Sequence, residues 1–333
     1  MKKSLIALAV AGAMTAPMIA QADATIYGSL RTKIEMSDKD GSSAKVTDNS
    51  SRIGLRGKAE TGIDGVSASY RVEVTASTDP VGTVEDSNGD THTDSSAFKT
   101  RLSYVGLNGD FGNVYVGRQW TPAFLMTGSM VDVLDASSNP THNYGKEGRQ
   151  SNALSYTTPK MGGFQAALAL MGRDGDAGEE DVDAYNLAAS FEMAGFRLAA
   201  SLSSYDTDDG ATPTPAVTDG DITTFAASYT MDALYVAALY QDNDDGFANA
   251  GVGENPLELV ATYDLGNVKL LANYVDFDET SAGSDQGRQV AVEAWYKLGK
   301  KARAFVNYTD VNSDRENNAS KYGSWSVGYR VDF

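Results

Sequence analysis

The chain ends in Gly323-Ser324-Trp325-Ser326-Val327-Gly328-Tyr329-Arg330-Val331-Asp332-Phe333, and this stretch decides the fold. Read back from Phe333, every second residue is aromatic, aliphatic or glycine, whereas the residues between them are small or charged. A period of two is the pattern of a β-strand, and this contrast is typical of a strand with lipid on one face and water on the other. We therefore expect Tyr329 and Phe333 to belong to a terminal strand that closes a membrane-embedded sheet.

The N-terminus predicts export. Lys2 and Lys3 form a positive segment, residues 5–16 are apolar, and Ala20-Gln21-Ala22 is a small-x-small cleavage site. The alternative is a membrane anchor, but the apolar run is shorter than the ~20 residues that a spanning helix needs. The prediction is a signal peptide at 1–22 and one domain at 23–333. Cysteine is absent, so no disulfide stabilises this exported chain, which favours a large closed sheet.

Sixteen alternating segments follow one another along the remaining chain. Most match the ~9–11 residues of a tilted transmembrane strand. Their predicted cores are 24–36, 50–60, 66–75, 97–108, 113–118, 149–158, 163–171, 184–192, 196–205, 221–230, 234–241, 256–264, 268–276, 288–297, 302–310 and 321–333.

The connections between these segments alternate between short and long. Short turns are predicted at 61–65, 109–112, 193–195, 231–233, 265–267 and 298–301, and longer loops join most of the other pairs. This is the plan of an up-and-down barrel with short periplasmic turns and long outer loops. The sequence therefore predicts an all-β fold: a transmembrane, 16-stranded, antiparallel up-and-down β-barrel.

Acidic residues are concentrated in the predicted long loops. The loops, assigned to 37–48, 76–96, 119–148, 172–183, 206–220, 242–255, 277–287 and 311–320, hold 30 of the 45 acidic residues and 5 basic ones, a net charge of −25. These carboxylates keep exposed loops soluble, bridge divalent cations at the cell surface, or reflect a salty habitat; the residues leave the three readings open. An acidic mouth also predicts mild cation selectivity.

Basic residues cluster instead on the first strands, at positions whose neighbours are apolar. A charge on the lipid face at mid-bilayer costs ~2–4 kcal/mol, so these side chains should point into the lumen. A packed interior would need each charge paired, whereas a wet one tolerates them. The predicted lumen residues are Arg31, Lys33, Arg52, Arg56, Lys58 and Arg71.

With these features and the motifs given below, the sequence resembles the general diffusion porins of Gram-negative outer membranes, which are trimeric and have 16 strands. The likeness covers the whole mature chain, and each motif is weak singly but specific in this order. The motifs are Ile26-Tyr27-Gly28, Ser51-Arg52-Ile53-Gly54-Leu55-Arg56-Gly57, Tyr104-Val105-Gly106-Leu107, Phe111-Gly112-Asn113-Val114-Tyr115-Val116-Gly117-Arg118-Gln119 and the terminal strand.

The resemblance implies that the third long loop, about 119–148, folds back into the barrel and narrows the pore. It places wall arginines opposite loop carboxylates, which would create a transverse field across the opening. The residues that match the family's basic side are Arg52, Arg118 and Arg149, and the candidate loop carboxylates are Asp132 and Asp135.

Alternatives remain for both features. Any one arginine could merely neutralise a wall carboxylate, and the apolar start of the loop, 121–126, could be a patch on a trimer surface. The chain also departs from the enteric members: Ser29 stands where they carry lysine, and their Pro-Glu-Phe-Gly loop segment is absent. These departures bear on ion preference rather than on the pore.

The predicted function is a passive, water-filled outer-membrane channel for ions and small hydrophilic solutes. The resemblance implies a homotrimer in contact with outer-membrane lipid and lipopolysaccharide, with no cofactor, metal or nucleic acid. A substrate-selective channel is the closer alternative, and a barrel enzyme or adhesin the more distant one. We expect no enzyme, because both histidines, His92 and His142, fall in predicted loops and no hydrolase or phosphate-binding motif occurs.

Overall fold

The computed structural model describes residues 23–37, 43–78, 83–85, 91–93, 98–136, 148–172, 182–205, 220–243, 255–277, 287–312 and 322–333. The signal peptide predicted at 1–22 lies outside these residues and stays a prediction. No helix in the described ranges has the length and apolar character needed to span a membrane.

The described chain is dominated by sixteen antiparallel strands, as the alternation predicted. They are β1 (Asp23–Ser37), β2 (in two segments, Ser43–Asp48 and Arg52–Glu60), β3 (Ser67–Thr75), β4 (Thr100–Gly109), β5 (Gly112–Trp120), β6 (Arg149–Thr157), β7 (Phe164–Met171), β8 (Ala184–Met193), β9 (Phe196–Tyr205), β10 (Gly220–Met231), β11 (Leu234–Asn243), β12 (Leu257–Asp264), β13 (Val268–Asp276), β14 (Arg288–Lys297), β15 (Ala302–Asn312) and β16 (Tyr322–Asp332).

Each strand pairs with its two neighbours, and the last strand pairs with the first. The closing register runs from Ser29 opposite Asp332 to Ser37 opposite Ser324. Beyond this ladder, the backbone N–H of Phe333 donates to the carbonyl of Gly28 at 3.0 Å, and Gly28 N–H donates back at 3.1 Å. Because the sheet closes on itself, it has no free edge and can satisfy its backbone in lipid.

The two faces of the wall have opposite chemistry. On β8, Tyr185 and Leu187 are 40% and 48% exposed, whereas Asn186 between them is fully buried. Most of the other strands repeat this pattern, with apolar side chains outside and polar ones such as Gln241 and Glu293 buried inside. A water-soluble fold buries its apolar face, so this inverted arrangement is that of a transmembrane barrel.

The short connections lie at one end of the barrel, and the six predicted turns are confirmed. The tightest join strands through two residues, as between β8 and β9. There Ala194 and Gly195 have φ values of 50° and 86°. Positive φ at both central residues matches the right-handed twist of the paired strands, which is why such turns need small or flexible residues.

The first outer loop is shorter than the sequence predicted. The expected loop at 37–48 contains a strand segment, Ser43–Asp48, that pairs with the upper part of β1. Ser50, with a φ of 64°, then separates the two segments of β2. The outer face stays apolar here, since Val46 is exposed and pairs with the exposed Ile34, but Val46 is the only large apolar residue of the segment. A two-stranded hairpin, Thr83–Glu85 with Thr91–Thr93, was also not predicted.

Candidate functional site

The start of the third long loop forms a short helix, α1 (Pro122–Met126), followed by a 3₁₀ turn at Gly128–Met130. The Thr121 hydroxyl caps the helix by accepting a hydrogen bond from the Phe124 N–H at 3.2 Å. Pro122 has no backbone N–H, but at the first helical position that group would have no partner within the helix. A threonine-proline pair therefore begins the helix directly after β5.

Contacts place this loop segment against the polar face of the wall. The Ala123 N–H donates to Asn186 Oδ1 at 2.7 Å, and Tyr235 Oη donates to the Met130 carbonyl at 2.6 Å. The Arg197 guanidinium donates to the Leu125 carbonyl at 3.2 Å. These three wall residues alternate with exposed apolar neighbours on β8, β9 and β11, so they point inward. Packing against them explains the apolar start of the loop.

The far end of the segment is anchored by Asp135, which is buried. Its carboxylate accepts from Arg303 Nη2 at 2.8 Å and from Arg330 Nη1 at 2.9 Å, on β15 and β16. Arg31 Nη1 lies 4.0 Å away on β1. One loop carboxylate therefore gathers guanidinium groups from three adjacent strands.

Further hydrogen bonds hold the backbone around this carboxylate. Glu293 accepts from the N–H groups of Asp135 and Ala136 at 2.8 and 2.9 Å. Lys33 Nζ donates to the Ala136 carbonyl at 3.2 Å, and Asn49 Nδ2 donates to the Asp135 carbonyl at 2.7 Å. Residues 121–136 thus run along the inner wall from β5 past β8, β11 and β14 to β1. Residues 137–147 lie outside the described ranges, so the inward fold of the whole loop stays a prediction.

Two opposing effects set the pKa of the Asp135 carboxyl. Burial raises the pKa because it disfavours the charged form. The hydrogen bonds and positive charges of Arg303 and Arg330 outweigh burial and hold the pKa below its ordinary value. The ionised carboxylate is therefore the stable form of this anchor at neutral pH.

The three arginines predicted for the basic side of the opening lie close together. Arg149 is near enough to Arg52, Arg118 and Arg101 to interact with them electrostatically, and also with Glu73. Arg118 donates to the Thr100 carbonyl at 3.2 Å and to Ser151 Oγ at 2.9 Å. The structure therefore brings together Arg52, Arg118 and Arg149, which come from β2, β5 and β6. Asp135 lies elsewhere, among Arg303, Arg330 and Arg31, and the sequence analysis did not select the first two.

Arg101 is a member of this cluster that the sequence analysis missed. Val105, 61% exposed, lies an even number of residues away, so simple alternation assigns Arg101 to the lipid face. A β-bulge breaks the alternation: Glu73 pairs with Leu102 and Val74 with Thr100. Arg101 is the extra residue, and its Nε donates to Glu73 Oε1 at 2.8 Å. The signal that could have found it was a charge on a lipid-face position, which costs ~2–4 kcal/mol.

The remaining predicted lumen residues occupy the same side of the barrel. Arg71 donates to Tyr27 Oη at 2.6 Å and to Glu73 Oε2 at 3.0 Å. Arg56 lies over the Tyr27 ring, 5.1 Å from its centre. Lys58, next but one along β2, is exposed. Tyr27 and Arg71 therefore contact the buried Glu73 directly, and Arg56 reaches this group through the Tyr27 ring.

Arg31 and Lys33 lie higher on β1. The Arg31 guanidinium donates to Ser29 Oγ at 2.7 Å, and Lys33 pairs with Glu35 at 2.6 Å. Arg31 interacts electrostatically with both Arg52 and Arg330, so it links the arginine cluster to the basic residues around Asp135.

An aromatic stack connects the arginine cluster to the loop. The Arg149 guanidinium lies 4.8 Å from the centre of the Trp120 ring, which stacks on Phe124 at 4.0 Å. Phe124 belongs to α1 and is buried, whereas the next residue, Leu125, is 51% exposed. Asp132, the other predicted loop carboxylate, is also exposed. The residues of the segment that are accessible to solvent therefore include Leu125, Asp132 and the half-buried Ser129.

The terminal residues predicted to assist assembly lie on the outer surface. Tyr329 and Phe333 are both exposed. The Phe333 ring covers Gly28, where a Cβ atom would lie 2.3 Å from its Cζ. Glycine at this position therefore makes room for the aromatic terminus at the closing seam.

Comparison with known proteins agrees with this architecture. The model of the Gram-negative porin family matches residues 7–316. The major outer membrane protein P.IB of Neisseria lactamica is 28% identical over 338 residues, covering 92% of each chain. The anion-selective porin from Comamonas acidovorans superposes with a TM-score of 0.71 at 21% identity, covering 94% of this chain and 100% of that one.

A third comparison involves an assembled porin. The trimer form of OmpT from Vibrio cholerae superposes with a TM-score of 0.63 at 17% identity, covering 94% of this chain and 99% of that one. At such identity the likeness concerns the fold alone. The family match covers most of the sequence and agrees with the closed, inverted barrel. The chain therefore belongs to the Gram-negative porin family, and its barrel is a diffusion channel of the bacterial outer membrane.

Proposed function

We propose that the barrel is a passive channel for ions and small hydrophilic solutes, narrowed at the level of residues 121–136, with no catalytic role. The observation that carries this proposal is the fixed position of the loop segment on the inner wall, where an aromatic stack joins it to the arginine cluster. Hydrogen bonds from β8, β11 and β14 hold it there. A pore of sixteen strands is otherwise wide enough to leave an aqueous channel, so an inner segment is what restricts solute size.

Arg52, Arg118 and Arg149, with Arg101, form the basic side of this opening, and Asp132 supplies the exposed carboxylate on the loop side. Four arginines accompany one buried glutamate, Glu73, so the cluster carries a net charge of +3. Opposed charges across a narrow, low-dielectric opening create a strong transverse field, which orders water and favours solutes that can align with it.

The acidic loops and the basic opening act on ions in opposite directions. Exposed loop charges are screened strongly, because the Debye length falls from ~30 Å at 0.01 M to ~3 Å at 1 M salt. Partly buried arginines are screened less. We expect the cation preference predicted from the loops at low salt, and a shift towards anions as the salt concentration rises.

The test is recording from purified, refolded protein in a planar bilayer. Stepwise ohmic conductance and a reversal potential that moves towards anion preference between 0.01 and 1 M salt support the proposal. Absence of conductance from correctly folded barrels would contradict the channel. Chloride preference at low salt would contradict the role of the acidic loops.

We also infer that three copies associate through the outer face of β1 to β5. The described part of these strands carries no exposed aromatic side chain, although Phe98 and Phe111, just beyond the two ends of β4, are exposed. The outer faces of β6 to β16 carry many: Tyr156, Phe164, Tyr185, Phe191, Phe196, Phe225, Tyr240, Tyr263, Tyr296, Trp325 and Tyr329. Aromatic residues prefer the membrane interface, so their absence from the strands of one sector fits a surface covered by protein. The OmpT trimer supports the stoichiometry.

Engineered cysteines can test this interface, because the chain contains none. Val105→Cys on β4 places a thiol in the proposed interface, and Leu198→Cys on β9 places an equally exposed thiol in the lipid sector. A flexible bis-maleimide should link V105C copies and leave L198C copies unlinked. Equal cross-linking of the two variants would refute the interface. We expect lipid and lipopolysaccharide to contact the outer faces of the remaining strands.

A further inference from the structure

We propose that the outer face of the barrel binds one acyl chain of a phospholipid from the periplasmic leaflet, in a groove across β11 to β16, and that the ammonium headgroup of this lipid pairs with Asp232. The inference goes beyond the proposed function and does not depend on solute passage. The groove has a volume of about 510 Å³, and apolar atoms form almost all of its surface. It lies outside the sector proposed for the trimer contact, so its occupant comes from the membrane.

Two facing alanines form the floor of the groove. Ala261 on β12 pairs with Ala272 on β13, and both are exposed on the outer face. The next outward residues are larger: Tyr263 lies below Ala261, and Tyr274 lies above Ala272. A pair of methyl groups between larger side chains leaves a depression that runs across the strands. Its floor continues to Ala294 on β14.

The groove rises obliquely from the periplasmic rim. Its lower end is at Leu234, the first residue of β11, and its upper end is at Trp325, near the outer end of β16. These two strands are five spacings apart, or ~24 Å at ~4.8 Å per spacing. Because the strands of such barrels tilt by about 35–45°, a line across them climbs by roughly 15 Å. This is about half of the ~30 Å hydrocarbon core, so the groove has the depth of the periplasmic leaflet.

The periplasmic turns beside the groove carry exposed apolar side chains. Met231, Leu265 and Leu298 follow β10, β12 and β14, and each is exposed. Such residues gain free energy when lipid rather than water covers them. The acyl-chain region of the membrane therefore reaches the lower end of the groove. A chain lying in the groove makes dispersion contacts with its walls that an empty depression would lose.

The charge at the lower end selects the headgroup. Asp232 lies in the turn that leads into β11, is exposed, and forms no ion pair with any residue in the described ranges. Asp264, the next carboxylate along the rim, is already paired with Lys297 at 2.6 Å. Lys300 and Lys301 lie two turns farther along the rim. The uncommitted carboxylate attracts a primary ammonium group, as in phosphatidylethanolamine, and repels an anionic lipid such as phosphatidylglycerol.

Trp325 makes occupancy of the groove measurable. The chain contains three tryptophans. Trp120 stacks on Phe124 of the loop segment, and Trp295 lies under the Arg303 guanidinium, so both belong to the inner side of the wall. Trp325 is exposed on the outer face and lines the upper end of the groove. Bromine atoms near the methyl end of an acyl chain quench its fluorescence when that chain fills the groove.

The experiment uses the full-length mature protein folded into phosphatidylcholine vesicles. These contain brominated phosphatidylethanolamine or brominated phosphatidylglycerol with identical chains, and the loss of fluorescence with mole fraction gives the relative binding of each lipid. We expect phosphatidylethanolamine to bind roughly 3-fold more strongly than phosphatidylglycerol, as one exposed charge pair implies. Asp232→Asn should remove this difference.

A filled groove and a matched control complete the test. Ala272→Leu places a large side chain on the floor and should reduce quenching by phosphatidylethanolamine to the level of phosphatidylcholine carrying the same bromines. Ala189→Leu makes the same change on the outer face of β8, away from the groove, and should behave like the wild type.

Three outcomes would overturn the inference. The first is equal binding of the two lipids by the wild type, or a preference that D232N retains. The second is an A272L barrel that binds phosphatidylethanolamine as the wild type does. The third is a Trp325 that neither lipid quenches, which would mean that protein covers the groove. Conductance of the same barrels in planar bilayers tests the proposed function separately.

Discussion

The Asp135 carboxylate and the Arg303 guanidinium form a two-pronged ion pair, with Nε–Oδ2 and Nη2–Oδ1 distances of 2.5 and 2.8 Å, across 168 residues of sequence. Arg303 also lies 3.8 Å from the centre of the Trp295 ring, which fixes its orientation. The pair joins the loop segment to the wall at the point where the segment turns back towards β1. Its geometry makes Asp135 an anchor for the loop rather than a group free to face the arginine cluster.

Replacing Asp135 with asparagine should therefore loosen the loop while leaving the barrel folded. Losing one partner of a buried charge pair costs on the order of 3 kcal/mol. We expect larger current fluctuations and a larger solute-exclusion limit in liposome swelling. Asp264→Asn, which removes an exposed partner of Lys297 at 2.6 Å, is the matched control and should behave like the wild type. A D135N channel with wild-type noise and exclusion would contradict the anchor.

The same anchor predicts a response to acid. The pKa of Asp135 is lower in the folded protein than in an unfolded chain, so its contribution is complete above the ordinary aspartate value of ~3.9 and is lost as the pH falls through the folded value. We expect steady currents from pH 7 to about 5 and increased fluctuations below about pH 4. The D135N channel should lack this acid step. A step of equal size in both channels would assign it to other carboxylates.

Removing two arginines of the cluster should change ion preference. Arg52→Ala and Arg118→Ala together lower the net charge of the cluster from +3 to +1. We expect the reversal potential under a salt gradient to move towards cation selectivity, with conductance maintained. Lys58→Ala, an exposed basic residue on the same strand as Arg52, controls for the loss of charge elsewhere. Unchanged selectivity in the double variant would remove Arg52 and Arg118 from the opening.

The closing seam gives a prediction about assembly. A Cβ atom at position 28 would lie 2.3 Å from the Phe333 ring and 2.8 Å from the Arg52 carbonyl oxygen. Gly28→Val should therefore destabilise the barrel by about 1–3 kcal/mol, the usual cost of overpacking. The folded fraction on unheated gels and the midpoint of urea unfolding report this change. Ala24→Val creates the same side chain at an exposed position on β1 and should leave both unchanged.

Much of the fold can be predicted from local sequence patterns, because each strand of a membrane barrel has apolar residues on the lipid face and polar residues on the inner face. Alternation predicted the sixteen strands, and the turn residues predicted which connections are short. Prediction failed where that alternation ends or breaks. The segment Ser43–Asp48 contains a single large apolar residue, Val46, and Arg101 lies at a bulge that reverses the face of the strand. The local sequence marks the first only weakly and the second only as a charge on a lipid-face position, since each depends on the register with a neighbouring strand.

The candidate site was likewise predicted in part. A family resemblance was enough to select Arg52, Arg118 and Arg149, which the structure brings together. It was not enough to find the partners of Asp135, because Arg303 and Arg330 are separated from it by 168 and 195 residues.

Taken alone, the amino-acid sequence determined a closed, lipid-facing barrel, because the solvent on each face selects the residues of each strand independently. Only the tertiary structure decided which charged residues form ion pairs, that Arg101 points into the lumen and that Leu125 remains exposed. Those outcomes depend on strand register and on the path of one loop through the lumen, and both are set by contacts between residues that the chain holds far apart.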